Sequence, residues 1–131
     1  MTKKSHGFTV IELIFITLVV GLASVLFFVQ KHNLEIIAND ETKKTAINAM
    51  YYGLEEVFYP TYKYYPQTIS SDNLKSVDPA LFTDPSGAKL GTTGSAYTYS
   101  PTNCVNSQCK SYTLKANLDN EADYIKNSRN I

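Results

Sequence analysis

An uncharged run near the N-terminus, from Leu13 to Gln30, limits what this chain can fold into more than any other feature of its 131 residues. A helix of about 20 residues crosses the hydrocarbon core of a bilayer, so a run of this length is a candidate membrane span. The short segment before it carries Lys3 and Lys4, and positive residues favour the cytoplasmic side. The sequence therefore predicts a single-pass membrane protein with a cytoplasmic N-terminus and its remaining residues outside the cytoplasm.

Glu12 is an acidic residue at the start of this run. A charged side chain costs roughly 2.5–3.5 kcal/mol at the centre of a spanning helix, so such a residue is a candidate functional group. In the simplest alternative, the Glu12 side chain extends to the membrane surface and has no further role.

Three kinds of N-terminal processing are compatible with the run. A secretory signal peptide would be cut near its end, and the small-residue candidate Gly21-Leu22-Ala23 lies inside the run. An uncut signal anchor would keep every residue. Cleavage before the run would remove the basic leader and keep the apolar segment in the mature chain.

The stretch Gly7-Phe8-Thr9-Val10-Ile11-Glu12-Leu13 favours cleavage before the run. It closely resembles the N-terminal signature of type IV pilins and type II secretion pseudopilins, which are prepilins with an N-terminal methylation motif. The resemblance implies that a prepilin peptidase cuts between Gly7 and Phe8 and that Phe8 is N-methylated. It also implies that Glu12 neutralises the N-terminal amine of an adjacent subunit, since an unpaired charge in apolar surroundings is strongly unfavourable.

The fold expected from the sequence is α+β, with a long N-terminal helix packed on a small antiparallel sheet, as in the pilin fold that the resemblance implies. Four segments are expected: a leader at 1–7, a membrane-spanning or filament-core helix at 8–30, its amphipathic continuation at 31–59, and a globular head at 60–131. Pro60 is expected to end the helix. The core-facing stripe of the continuation has apolar residues three and four apart, namely Ile47, Met50, Tyr51, Leu54, Val57 and Phe58.

Two positions leave the course of the helix open. Residues 39–45 are polar on all sides and predict a solvated neck with Asp40 and Lys44 at pairing distance, or else a loop that breaks the helix. Gly21 permits either the close approach of another helix or local loosening.

The head is expected to begin with a long connecting loop, at 60–95, that contains little regular structure. Alternating residues then predict two strands, Ala96–Ser100 and Ser111–Leu118, joined as an antiparallel hairpin. A short third strand is expected at Tyr124-Ile125. The face that is predicted to cover the helical stripe carries Tyr112, Leu114, Ala116 and Leu118.

Cys104 and Cys109 lie close together in the hairpin connection. Their spacing fits neither a four-ligand zinc site nor a CxxC redox motif, and an exported domain favours a disulfide. Two reduced thiols in a surface loop are the alternative.

The densest set of oxygen ligands in the sequence is Asn117, Asp119, Glu121 and Asp123. Calcium takes roughly six to eight oxygen ligands, often from alternate residues of one loop, so these four residues are candidate calcium ligands. A solvated acidic turn is the alternative, because the central glycine and distal glutamate of an EF-hand are missing. No other cofactor is indicated.

The sequence does not indicate an enzyme. His6 falls in the predicted leader, which leaves His32 as the single histidine of the mature chain, and the sequence contains no phosphate-binding glycine loop. Glu55 and Glu56 are predicted to be a solvated pair.

Most of the ten tyrosines are expected in the core or between subunits, with a minority on an adhesive surface for sugars, other cells or DNA. The 12 basic and 12 acidic residues balance, so nucleic acid is not indicated as a main partner, although a role in DNA uptake stays open.

The expected function is that of a structural subunit of a type IV pilus-like filament. The precursor would be held in the membrane, and the assembled subunit would be in an extracellular, periplasmic or cell-wall-spanning filament. The resemblance implies four kinds of partner: copies of the chain and other pilins, the prepilin peptidase, a cytoplasmic assembly ATPase and an inner-membrane platform protein. Two alternatives stay open, a pseudopilin of a type II secretion system and a single-pass anchored binding or adhesion domain that does not polymerise.

Overall fold

The computed structural model describes residues 7–129. The predicted leader, 1–7, therefore lies outside the described residues except for Gly7. The chain divides into two compact units, of which the first ends at Glu35 and the second begins at Ile36. The α+β prediction is confirmed, since a long N-terminal apolar helix is followed by a small antiparallel sheet of four strands.

Helix α1 extends from Val10 to Tyr52 without interruption, so the alternative of a loop at 39–45 is wrong. Thr9 precedes the helix, and its carbonyl oxygen and Oγ1 accept from the backbone N–H of Glu12 at 3.1 and 3.4 Å. A threonine at this position satisfies a donor that the first turn would otherwise leave unpaired.

A π-helical turn, Gly53–Phe58, follows α1, and a last α-helical turn, α2, extends from Tyr59 to Tyr62. The prediction that Pro60 ends the helix is therefore wrong: the helix ends at Tyr62, and the following residue, Lys63, has a left-handed φ of 62°. A proline ring clashes with the carbonyl four residues before it in a regular α-helix, and that residue for Pro60, Glu56, lies in the wider π turn. The helix thus accommodates Pro60 by a change of winding.

The π turn also changes which side chains face the core. It holds more residues than an α turn, so each residue advances around the helix axis by a smaller angle. Val57, predicted in the core-facing stripe, is half exposed, whereas Glu55, predicted to be solvated, is only 5% exposed. Both predictions were wrong because they assumed the spacing of a regular α-helix.

The sheet is built around β3, Gln108–Ala116, which pairs antiparallel with the other three strands. Strand β2, Tyr97–Val105, forms the predicted hairpin with β3 through a tight turn at 106–107, where both φ angles are positive. Strand β1, Tyr65–Pro66, pairs with the beginning of β3. The predicted third strand is confirmed as β4, Tyr124–Asn127, which pairs with the end of β3.

The connection between α2 and the hairpin is mostly irregular, as predicted, although it also contains β1 and a 3₁₀ turn at Pro79–Phe82. Asp84 organises its last part, because its carboxylate accepts from the backbone N–H groups of Ser86, Ala88 and Ala96 at 2.9, 3.0 and 2.7 Å. Burial raises the pKa of Asp84, but these hydrogen bonds outweigh burial and hold the pKa below its ordinary value.

The core of the second unit combines one side of the helix with one face of the sheet. Tyr112, Leu114 and Ala116 of β3 are buried, as predicted, and Leu118 is partly buried. Three tyrosines are fully buried, which confirms that part of the tyrosines belong to the core: Tyr65, Tyr97 and Tyr112. The apolar helical residues buried with them are Ala46, Ile47, Met50, Leu54 and Phe58.

Gly53, the first residue of the π turn, has no room for a side chain. A β-carbon there would lie 2.7 Å from Val77 Cγ2 and 3.3 Å from Ser76 Oγ, and Val77 is itself buried. We expect Gly53→Ala to lower the free energy of unfolding by about 1–3 kcal/mol, the usual effect of overpacking. Gly21→Ala is the matched control, because a β-carbon at Gly21 meets nothing within 4 Å. Urea unfolding of both variants in detergent would check this, and an unchanged midpoint for Gly53→Ala would contradict it.

Candidate assembly site

The predicted processing and assembly residues lie together at the start of α1. Gly7 and Phe8 precede the helix, and Glu12 lies in its first turn. All three are exposed, and Glu12 forms no ion pair within residues 7–129. A carboxylate in a first turn interacts favourably with the positive end of the helix dipole, so Glu12 also suits its position in the helix.

The helix that follows presents an uncovered apolar surface. Every large apolar side chain between Val10 and Val29 is exposed. The most apolar 18-residue window of the helix has a mean hydropathy of 2.6, and none of that window is buried. By length and composition the helix can therefore cross a membrane. An apolar surface of this extent needs lipid or protein to cover it.

The polar side chains inside the apolar run are satisfied within the helix. Thr17 Oγ1 donates to the carbonyl of Ile14 at 2.9 Å, and Ser24 Oγ donates to the carbonyl of Val20 at 2.8 Å. Hydroxyl groups that are bonded in this way are compatible with hydrocarbon surroundings. Gly21 lies in open space, so both sequence interpretations of Gly21 stay open.

Cys104 and Cys109 form a disulfide, as predicted. The two cysteines lie directly opposite each other in β2 and β3, and their α-carbons are 3.9 Å apart. The bond therefore joins the two strands one residue pair before their turn. No free cysteine is present in residues 7–129.

Reduction of this disulfide is expected to lower the free energy of unfolding by about 2 kcal/mol, because the closed loop is short. Urea unfolding with and without reductant, followed by the fluorescence of the tyrosines in this tryptophan-free chain, measures the effect. The double variant Cys104→Ser/Cys109→Ser is the control and should not respond to reductant. Two reactive thiols in the native protein would contradict the bond.

Three of the four candidate calcium ligands are carboxylates that pair with lysines in the structure. Within residues 7–129, no group of three His, Cys, Asp or Glu side chains is placed to hold a metal ion. The ion pairs are Asp119 with Lys43, Glu121 with Lys44, and Asp123 with Lys115.

The predicted solvated neck is wrong at Asp40 and Lys43, which are both buried. The two carboxylate oxygens of Asp40 accept from the backbone N–H groups of Asp119 and Asn120 at 2.9 and 2.8 Å. Lys43 Nζ lies 2.6 Å from Asp119 Oδ2 and 3.4 Å from Asp40 Oδ1. We call these four residues the Asp40 clasp. It fastens the segment after β3 to α1, and the predicted pair of Asp40 with Lys44 does not form.

Glu55 is the centre of a second buried polar cluster that the sequence did not indicate. Its carboxylate accepts from the hydroxyl of Tyr65 at 3.1 Å, the hydroxyl of Tyr112 at 2.8 Å and the backbone N–H of Arg129 at 3.2 Å. A buried carboxylate requires such donors, because burial removes its water. Burial and the hydrogen bond to Glu55 raise the pKa of Tyr112. The cluster joins the π turn to β1, to β3 and to the C-terminal segment.

Comparison of the chain with models of protein families, with characterised proteins and with solved structures found no match. The assignment of a function therefore depends on the residues of this chain and their geometry. The N-terminal segment offers the clearest chemistry, because an acid in the first helical turn adjoins a long uncovered apolar surface.

Proposed function

We propose that this chain is a structural subunit of a type IV pilus-like filament, with the helix-and-sheet organisation of a pilin. The observation that supports this most is an N-terminal helix with its large apolar side chains exposed from Val10 to Val29 and with Glu12 in its first turn. The residues directly before it, Gly7-Phe8, resemble a prepilin processing site. A simple membrane anchor has no need of a carboxylate at this position.

Assembly then transfers the helix from one apolar environment to another. In the bilayer, lipid covers the exposed side chains. Cleavage after Gly7 leaves a free amine on Phe8, which is positive at neutral pH. In the filament, neighbouring helices replace the lipid, and Glu12 pairs with the amine of an adjacent subunit. A subunit in the wrong register leaves a charge unpaired in apolar surroundings, so the pairing selects the correct register.

The head is compatible with a position outside the cytoplasm. Its sheet carries the disulfide between Cys104 and Cys109, and disulfides form and persist in oxidising compartments. The partners of this scheme are the prepilin peptidase, an assembly ATPase and a platform protein in the membrane. The heads would form the outer surface of the filament.

A non-polymerising, single-pass binding domain is the second candidate. The same apolar helix would serve it as an anchor, because the helix meets the length and composition of a membrane span. A pseudopilin of a secretion system would share the N-terminal processing and would differ in the length and location of its filament.

The intact mass of the mature protein separates filament subunit from simple anchor. We expect a chain that begins at N-methylated Phe8, and we expect Gly7→Ile to remain unprocessed because a branched side chain blocks the peptidase. Gly7→Ala, with a small side chain, is the matched control and should still be cut to a measurable extent. A chain that retains Met1 or begins after Ala23 would contradict the proposal. Electron microscopy with an antibody to the head then shows whether, and where, the processed chain forms filaments.

A further inference from the structure

A depression lies beside the tip of the β2–β3 hairpin. Its volume is about 490 Å³, within the range of roughly 300–1,000 Å³ that is common for small-ligand sites. None of the residues that line it is acidic. The side chains that could form aromatic, ionic or hydrogen-bond contacts with a ligand are two tyrosines, two lysines and two asparagines: Tyr59, Tyr64, Lys63, Lys110, Asn103 and Asn106.

The two lysines are available to a ligand. Lys63 and Lys110 are exposed and form no ion pair within residues 7–129, unlike Lys43, Lys44 and Lys115. The charges of the whole chain balance, at 12 basic and 12 acidic residues. Two unpaired cations around one depression without a carboxylate therefore make it locally positive, which favours an anionic ligand.

The floor of the depression is held by covalent and strand contacts. Cys109 lines it and is bonded to Cys104, and the same Cys109 is the strand partner of Tyr65. The ring of Tyr59 stacks on that of Tyr65, with ring centroids 4.8 Å apart and an interplanar angle of 28°. A site built on such contacts loses little conformational freedom when a ligand binds.

Unusual backbone conformations gather at the same place. Four residues other than glycine have positive φ within residues 7–129, and three of them line the depression: Lys63, Asn103 and Asn106. A left-handed conformation is unfavourable for a residue with a side chain, although asparagine tolerates it best. Lys63 follows the last helical turn and Asn106 lies in the hairpin turn, so the ends of these elements fix the backbone around the depression.

We infer that this depression binds a short acidic oligosaccharide. The tyrosine rings pack against the apolar faces of sugar rings. The side-chain amides of Asn103, Asn106 and the neighbouring Gln108 both donate and accept hydrogen bonds, which suits adjacent hydroxyl groups. Lys63 and Lys110 pair with the sugar carboxylates. A single strand of nucleic acid fits less well, because it requires a longer positive groove with bases stacked in succession.

The test uses the full-length chain in detergent micelles and does not depend on filament formation. The probes for calorimetric titration are tetramers of galacturonate, of glucuronate and of sialate, with a galactose tetramer and oligo-dT as controls. We expect saturable binding of at least one acidic tetramer, and weaker binding of both controls. Lys63→Gln/Lys110→Gln should weaken that binding about tenfold or more, since it removes both charge-assisted contacts.

The variants are chosen to keep the fold. Asn103→Gly and Asn106→Gly remove one amide each and retain a left-handed backbone, which glycine adopts freely, so both should weaken binding without changing the circular dichroism spectrum. Lys89→Gln, an exposed lysine outside the lining, should bind as the unaltered chain does. The inference is overturned if none of the three acidic tetramers binds, if oligo-dT binds more tightly, or if the folded double-lysine variant binds unchanged.

Discussion

Glu12→Val is expected to yield processed protein that stays in the membrane, with filaments reduced about tenfold or more, because the amine of the adjacent subunit loses its buried partner. The substitution makes the helix more apolar, so insertion into the membrane should be unaffected. The measurement is the ratio of head protein in sheared filaments to head protein in the membrane fraction, with the intact mass as a check on processing.

Glu35→Val is the matched control for this experiment. Glu35 also lies on the exposed surface of α1, where it pairs with Lys31 at 3.8 Å. An exposed pair of this kind contributes about 0–1 kcal/mol, so filament yield should be close to that of the unaltered chain. Normal filament yield from Glu12→Val would remove the proposed role of the carboxylate, even if the chain proved to be a filament subunit.

Asp40→Ala is expected to lower the free energy of unfolding of the head by about 2–4 kcal/mol, since it leaves two backbone donors without their acceptor and removes one of the two carboxylates that pair with Lys43. The backbone N–H groups of Asp119 and Asn120 would lose their acceptor, and Lys43 would keep only Asp119. Urea unfolding monitored by circular dichroism measures the loss. Glu41→Ala, one residue along the helix, removes an exposed pair with Lys44 and should cost less than about 1 kcal/mol. Equal stability of the two variants would contradict a structural role for the Asp40 clasp.

The Asp40 clasp also predicts how the stability of the head depends on pH. Burial raises the pKa of Asp40, but the N–H groups of Asp119 and Asn120 and the ammonium of Lys43 outweigh burial and hold the pKa below its ordinary value. Stability from a lowered carboxyl pKa is complete above the unfolded value, about 3.9, and is lost as the pH falls through the folded value. Stability should therefore fall more steeply with acid below about pH 4 in the unaltered chain than in Asp40→Ala.

Local patterns account for the parts of the structure that were predicted correctly. The uncharged run from Leu13 to Gln30 is long and apolar enough to cross a membrane, whatever the rest of the chain does. Alternation of side chains predicted the parts of β2 and β3 at 97–100 and 111–116. The strands extend further, to Val105 and from Gln108, so Cys104 and Cys109, predicted in the connection, lie opposite each other within the strands. Each of these features depends on residues that are close together in the sequence.

Contacts between distant residues account for the errors. Asp40 lies in a polar stretch and was predicted to be solvated. In the structure its carboxylate oxygens accept hydrogen bonds from N–H groups 79 and 80 residues away. Glu55 looks like one of a pair of surface acids, but it meets Tyr112, 57 residues away, and Arg129, 74 residues away. No local pattern identifies such partners, because each carboxylate is stabilised only when folding brings its hydrogen-bond donors close to it.

The sequence by itself determined an N-terminal helix fit to cross a membrane, the acid in its first turn, and a disulfide-closed hairpin, because spacing along the chain is enough to specify them. Only the tertiary structure decided which polar side chains are buried. The π turn before Pro60 rotates Glu55 inward and Val57 outward, and the Asp40 clasp pairs α1 with the segment after β3. Both outcomes depend on how the helix packs against the sheet, and this packing involves side chains from the whole second unit.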